Sequence, residues 1–356
     1  MGMMSQAIHS AAVSSKKAGG SYGTQQNRRF DTTGLLRFAR QVGELHASIG
    51  QLPTWVIHAY AQYCMAQGKA AGTLANIFSA IRVTSGTAGR DIDEACGNRK
   101  LRLTRRVRKG TKRAQTVSEI QDLLARARRT DIGLMHLISL ALHLGLRRKE
   151  ALMCPRDLQM WLDALMRGES SIPLMRGAKN ARPRDVRIVQ SKRQDTIESI
   201  RSALTYCQEH DFELITGSGK TLKSSMNRLK ALLRRAGMVG QVSFHSLRYT
   251  YALEAASEML DSGIAPYEVL VQLSESMGHG PTRTQMILEH YCQPIKIRFE
   301  GHISLPQDEA HRRRPANKLP RATARQEAKL RHSALSGYPV GRSNLGSTPH
   351  DSRPKS

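Results

Sequence analysis

The most constraining feature of this chain is a run in its middle that cannot fold on its own. From Asn98 to Arg113 nearly every second residue is Lys or Arg, and none is acidic. Charges so closely spaced repel one another, so the run reads as an extended tether rather than a helix or strand. A tether at that place divides the 356 residues into two parts, each long enough to build a core. The expected organisation is a mobile tail at 1–30, a small helical domain at 31–95, the basic linker at 96–115, a larger domain at 116–300, and a basic, disordered tail at 301–356.

The whole chain shares the charge of the tether. Its formal net charge is +26, from 55 Lys and Arg against 29 Asp and Glu. Such an excess calls for a polyanionic partner: nucleic acid first, an anionic membrane surface second, and a merely solvated basic face third. The five cysteines are scattered without a CxxC pair, which argues against a zinc ribbon or disulfide framework and suits a reducing cytosol. The N-terminus has no apolar segment of signal-peptide type. The longest apolar stretch, Leu134 to Leu146, is too short to span a bilayer and reads as a buried helix.

Local patterns indicate a mainly helical fold with a small β-hairpin. Leu35, Leu36, Phe38, Ala39 and Val42 fit one helix face, and Trp55, Val56, Ala59, Tyr60 and Tyr63 a second. Thr73 reads as the N-cap of a third helix that buries Leu74, Ile77, Phe78 and Ile81. Thr116-Val117-Ser118-Glu119 has the form of a helix start that opens the second domain. A hairpin is expected from about Ile172 to Val189, with its turn between Arg176 and Arg184. Helices are expected at roughly 195–210, 221–236, 246–260, 266–277 and 283–292.

Two suggestive motifs fall away. Gly217-Ser218-Gly219-Lys220-Thr221 resembles the end of a phosphate-binding loop, but Leu214 stands where that motif needs its first glycine. His136 and His143 lie on the apolar helix and read as structural rather than metal-ligating; no HExxH or metal-carboxylate cluster accompanies them.

Phosphodiester transfer without an obvious metal site sets its own requirements. Guanidinium forks suit the charge that builds on the non-bridging oxygens. A proton donor must serve the leaving oxygen. A tyrosine nucleophile keeps the reaction reversible, because phenolate leaves more readily than an alkoxide. The second domain holds a candidate for each role, in chain order: Arg147 at a helix entry, Lys179 in the hairpin turn, His245 and Arg248 three apart, His279 between glycines, and Tyr291. Each is unremarkable alone.

As an ordered set, R…K…HxxR…GH…Y resembles the tyrosine recombinase and phage integrase family over about residues 116–295. Gly145-Leu146-Arg147 with Glu150 is similar to the family's GLRxxE box, and Asp157 follows shortly. Lys179 falls at the family's hairpin lysine, within an AKxxRPR form shared by some integrases of bacterial mobile elements. His245-Ser246-Leu247-Arg248-Tyr249-Thr250 resembles the HxLRHT box, and Met277-Gly278-His279 the LGH box. Three departures stand out. Leu144 replaces the usual Thr or Ser, Tyr249 replaces a histidine, and the interval from His279 to Tyr291 is longer than the family's usual one.

The resemblance implies a two-domain, C-shaped clamp: a helical core-binding domain and a mixed α/β catalytic domain joined by the basic tether. It implies a site-specific recombinase that joins DNA 3′ ends to Tyr291, needing no cofactor, metal or ATP. Arg147 and Arg248 would hold the scissile phosphate, and Lys179 would protonate the leaving 5′ oxygen. His245 would assist proton transfer, and His279 would hydrogen-bond the phosphate. The implied partner is double-stranded DNA bound by a homotetramer, with no small-molecule substrate and no membrane, in the nucleoid of a bacterial cytoplasm. Arg105, Arg106, Arg108, Lys109, Lys112, Arg113, Arg182 and Arg184 are the candidate contacts to its backbone. Two other readings remain open: a type IB topoisomerase-like relaxer, and an impaired integrase relative that only binds DNA.

Overall fold

The computed structural model describes residues 2–104, 112–178, 182–219 and 221–300. Four of the tether cations, Arg105, Arg106, Arg108 and Lys109, lie outside the described residues, as do Lys179 and the 301–356 segment. The chain divides into two compact units, Met1–Lys109 and Gly110–Ser356. Among the described residues no helix is long and apolar enough to cross a membrane.

The first unit is all helical: α1 (Met3–Lys17), α2 (Tyr22–Gln41), α3 (Thr54–Ala66) and α4 (Ala71–Thr87). The expected mobile tail is therefore corrected. Residues 3–17 form α1, and α2 starts at Tyr22 behind an N-cap, Ser21, whose hydroxyl accepts from Thr24 N–H. Ala7 and Ala11 of α1 are fully buried in the core that holds Leu35, Leu36 and Ala39. Small side chains let α1 lie close against its neighbours without an apolar stripe that hydropathy would reveal. Thr73 is not a cap either: α4 begins two residues earlier, after Ala70, and Thr73 lies inside its first turn. Leu74, Ile77, Phe78 and Ile81 nevertheless face inward.

In the second unit, α5 (Val117–Thr130) opens with a capping box in which Thr116 and Glu119 satisfy each other's backbone N–H. Next come α6 (Ile132–Leu144), α7 (Arg148–Met153) and α8 (Leu158–Met166). α6 forms the centre of the core, buried from Leu134 to Leu144 save a few positions. His136 on it is buried beside Tyr206, ring centroids 5.2 Å apart, and burial lowers its pKa. Strands β1 (Ser171–Leu174) and β2 (Arg184–Arg187) pair antiparallel, with Ile172 opposite Val186 and Leu174 opposite Arg184. Trp161 of α8 is fully buried and donates through Nε1 to the carbonyl of Pro173, 2.7 Å away, which ties α8 to the hairpin. The chain then runs through α9 (Arg193–Glu209), α10 (Leu222–Arg235), α11 (Ser246–Asp261), α12 (Pro266–Ser276) and α13 (Thr284–His290). Thr221 caps α10, so the glycine-rich 217–219 segment is the approach to a helix start.

One close approach sets the site. Gly145 ends α6 in the left-handed region, at φ +55°, where a Cβ would stand 2.5 Å from the Tyr251 ring. Only glycine can take that conformation and admit that ring at once. Tyr251 is itself fixed, its hydroxyl donating to the Arg187 carbonyl at 2.8 Å and meeting Ser276 Oγ at 2.8 Å. The turn after α6, the hairpin and the end of α12 thereby meet around α11.

Candidate active site

Arg147 is the N-cap of α7, placed there by the turn at Gly145. Its backbone N–H donates to Glu150 Oε2 at 2.7 Å, and its Nη1 to Glu150 Oε1 at 2.6 Å. Its Nη2 donates to the carbonyls of Met277 at 2.7 Å and Gly278 at 3.3 Å. Arg248, in the first turn of α11, is fully buried. It donates through Nη1 to the Gly145 carbonyl and through Nη2 to the Met277 carbonyl at 2.9 Å. Its Nη1 also lies 3.9 Å from Glu150 Oε2, while its buried Nε has no partner. A guanidinium carries five N–H donors, so both arginines are fixed by carbonyls with donors to spare.

The phenol of Tyr291 lies beside them. Tyr291 is buried just past the end of α13. Its hydroxyl stands 3.3 Å from His245 Nε2 and 3.5 Å from His279 Nε2. The long interval between His279 and Tyr291 is taken up by a 3-10 turn at Pro281–Arg283 and the two turns of α13, and the phenol still reaches both imidazoles. Tyr249, the residue in place of a histidine, lies against the nucleophile candidate with ring centroids 4.7 Å apart. Its own hydroxyl is pushed up to about 12, by burial and then by Tyr291, so it keeps its proton.

His245 is pushed the other way. Desolvation of its ring comes first, then the positive field of Arg248, Arg147, Lys112 and Arg148, and together they lower its pKa to about 4. The residue as a whole is exposed to solvent, which screens these charges in part. A neutral imidazole at neutral pH can accept the phenol proton. Protonation favours the unfolded chain, where the ordinary histidine value of 6.5 applies. The stability tied to neutral His245 is thus present above pH 6.5 and is lost as pH falls towards 4. In the folded protein the acceptor role survives far below 6.5. Any phenol-dependent reaction is expected to show no inflection from His245 near that pH and to fall only on approach to 4, as a rate profile between pH 4 and 8 would show.

The structure brings five of the six sequence-predicted catalytic residues together: Arg147, His245, Arg248, His279 and Tyr291. Lys179 lies outside the described residues. The described DNA-contact candidates separate. Arg182 is exposed. Lys112 donates to the Gly240 carbonyl, and Arg113 pairs with Glu119, its Nη1 2.7 Å from Oε2. Arg184 differs from these: it is buried and donates through Nη2 to Glu150 Oε2 at 2.9 Å and through Nη1 to the Ser276 carbonyl at 3.1 Å. Burial is the main reason its pKa falls to about 10, with Glu150 opposing the fall and Arg248 and Arg147 adding to it.

Among the described residues Glu150 is thus the one carboxylate facing three guanidiniums, and it is fully buried. Sequence reading placed it in a family box without revealing that it gathers Arg184 as well. Gly278 was visible only as part of a short motif. It holds φ +68°, and a Cβ there would stand 2.9 Å from Arg184 Cδ and 3.1 Å from Arg147 Nη1. Gly278→Ala is expected to cost about 1–3 kcal/mol, read as a shift in the denaturant midpoint, and to displace Arg147.

A phenol set among guanidiniums and imidazoles, on a mainly helical unit with one small hairpin, is a set of groups suited to phosphoryl transfer. The family model described as Integrase matches residues 102–254, so that segment is similar to the integrase family. The match includes Arg147, His245 and Arg248; His279 and Tyr291 lie beyond it. Among solved structures the chain is similar to a lambda integrase tetramer bound to a Holliday junction, at 16% identity over 76% of each chain with a TM-score of 0.49. It is also similar to XerA recombinase, at 16% identity over 86% of this chain and 98% of that one, with a TM-score of 0.35. No curated protein matches it.

Proposed function

We propose that this chain is a site-specific DNA recombinase that cleaves and rejoins double-stranded DNA through a 3′-phosphotyrosyl bond to Tyr291. The observation that carries the reading is the Tyr291 hydroxyl held between His245 and His279, on the unit where two fixed arginines converge. In this reading Arg147 and Arg248 use their spare N–H groups on the non-bridging oxygens, where charge grows in the transition state. Tyr291 Oη attacks phosphorus as neutral His245 takes its proton. The bond from phosphorus to the 5′ oxygen breaks, and Lys179 supplies the proton to that oxygen. His279 hydrogen-bonds a phosphate oxygen. A 5′-hydroxyl of a partner strand then attacks the ester, and phenolate leaves. The ester conserves the energy of the broken bond, so rejoining needs no nucleotide.

Exchange between two duplexes requires a nucleophile at each strand to be cut, which is the basis for proposing a homotetramer on DNA. The described cations and the net charge of +26 supply the sequence-independent part of DNA affinity. The test is strand exchange. Purified protein is incubated with two labelled duplexes that carry the ends of the element encoding it. Four-way junctions and recombinant strands are expected. Relaxation of supercoiled plasmid without exchange would instead mark a topoisomerase-like relaxer.

A further inference from the structure

We propose that Arg184 is a positioning residue for the arginine clamp and not a contact to DNA, an inference that rests on the recombinase reading above. Three consecutive carbonyls at the end of α12 receive three arginines. Ser276 O accepts from Arg184, Met277 O from both Arg147 and Arg248, and Gly278 O from Arg147. The first two are among the carbonyls a helix leaves without partners at its C-terminus, where its dipole favours cations, and the third follows the cap residue. Glu150 binds the same three guanidiniums from the start of α7. Its Oε1 takes Arg147 Nη1, while its Oε2 takes the Arg147 backbone N–H and Arg184 and faces Arg248. Arg184 is the only one of the three that comes from the hairpin, as the first residue of β2. It is 9% exposed, with its Cδ backed by the position a Gly278 side chain would fill. It therefore fixes one oxygen of Glu150 and one carbonyl of α12 at once. Without it, both supports of Arg147 and Arg248 are free to shift, as is the loop that leads to His279.

Arg184→Lys and Arg184→Gln test this, with thermal melts measured first. The lysine variant keeps charge and most of the length, but its ammonium lacks the planar fork whose two nitrogens reach Glu150 and Ser276 separately. It is the variant to read if the glutamine variant unfolds. At saturating plasmid DNA, both are expected to form covalent adduct ~10- to 100-fold more slowly than wild type. Their affinity for random-sequence duplex, and the slope of log K against log salt, are expected to match wild type. A slope reduced by about one in Arg184→Gln and restored in Arg184→Lys would reveal a phosphate contact and overturn the proposal. Adduct formation at the wild-type rate in both variants would overturn it as well. Should wild type itself form no adduct, the recombinase reading fails, and titration with orthovanadate decides the role of Arg184 by itself. Weaker binding in Arg184→Lys than in wild type supports a positioning role, and equal binding refutes it.

Discussion

Arg248→Ala is expected to slow the formation of a covalent DNA adduct by about 10²- to 10³-fold, the usual loss when one donor to a developing oxyanion is removed. Arg248 is fully buried and held by the Gly145 and Met277 carbonyls, so its guanidinium is placed before substrate arrives. Placement of that kind is what makes a donor effective, because nothing needs to reorganise during the reaction. Alanine would also take the side-chain donor from the buried Gly145 carbonyl and leave the Met277 carbonyl to Arg147 alone, so part of the loss would come from altered folding. Arg248→Lys separates the two effects. It retains a buried cation but not a planar fork, and it is expected to melt near wild type while still cleaving far more slowly. The check is single-turnover adduct formation at saturating DNA. A rate within a few-fold of wild type for Arg248→Ala would remove Arg248 from the reaction.

Glu150→Ala is expected to have the largest effect on stability, about 3–5 kcal/mol, because it leaves buried charges uncompensated. The carboxylate is fully buried among Arg147, Arg184 and Arg248. Its removal takes away the single negative charge shared by three guanidiniums and also the cap on the Arg147 N–H. Glu150→Gln keeps the shape and one acceptor oxygen, so it is expected to lose less, though still to loosen the clamp. Chemical denaturation of both variants measures the cost. A change below about 1 kcal/mol for Glu150→Ala would show that the cluster is held by the α12 carbonyls and not by the carboxylate.

The parts of this structure that were legible in the sequence are those written in short spacings. The Thr116–Glu119 capping box, the Arg147–Glu150 pair and the His245–Arg248 pair each lie within one helical turn, where spacing alone implies proximity. Tyr291 could be named because no other tyrosine follows until Tyr338. What was hidden depends on contacts between distant segments. Arg184 looked like one more exposed cation of a basic turn, because its partners are 34 and 92 positions away in the chain. Nothing local distinguishes it from Arg182, which is exposed two residues earlier. Ser276 gave no signal, yet it joins Tyr251, Arg187 and Arg184. The first helix escaped for a different reason: its buried face is made of Ala7, Ala11, Ser14 and Ser15. Such a face buries little apolar area and leaves a hydropathy pattern like that of an unstructured tail.

Covalent trapping tests the central claim most directly. Purified protein is incubated with supercoiled plasmid, or with DNA from the ends of its element, in the presence of EDTA. Detergent then stops the reaction, and protein-linked DNA is separated from free DNA beside a Tyr291→Phe control. The account predicts an adduct in wild type that survives denaturation, carries DNA on Tyr291, and is absent from Tyr291→Phe. An adduct of equal yield in Tyr291→Phe, or none in wild type on either DNA, would contradict it.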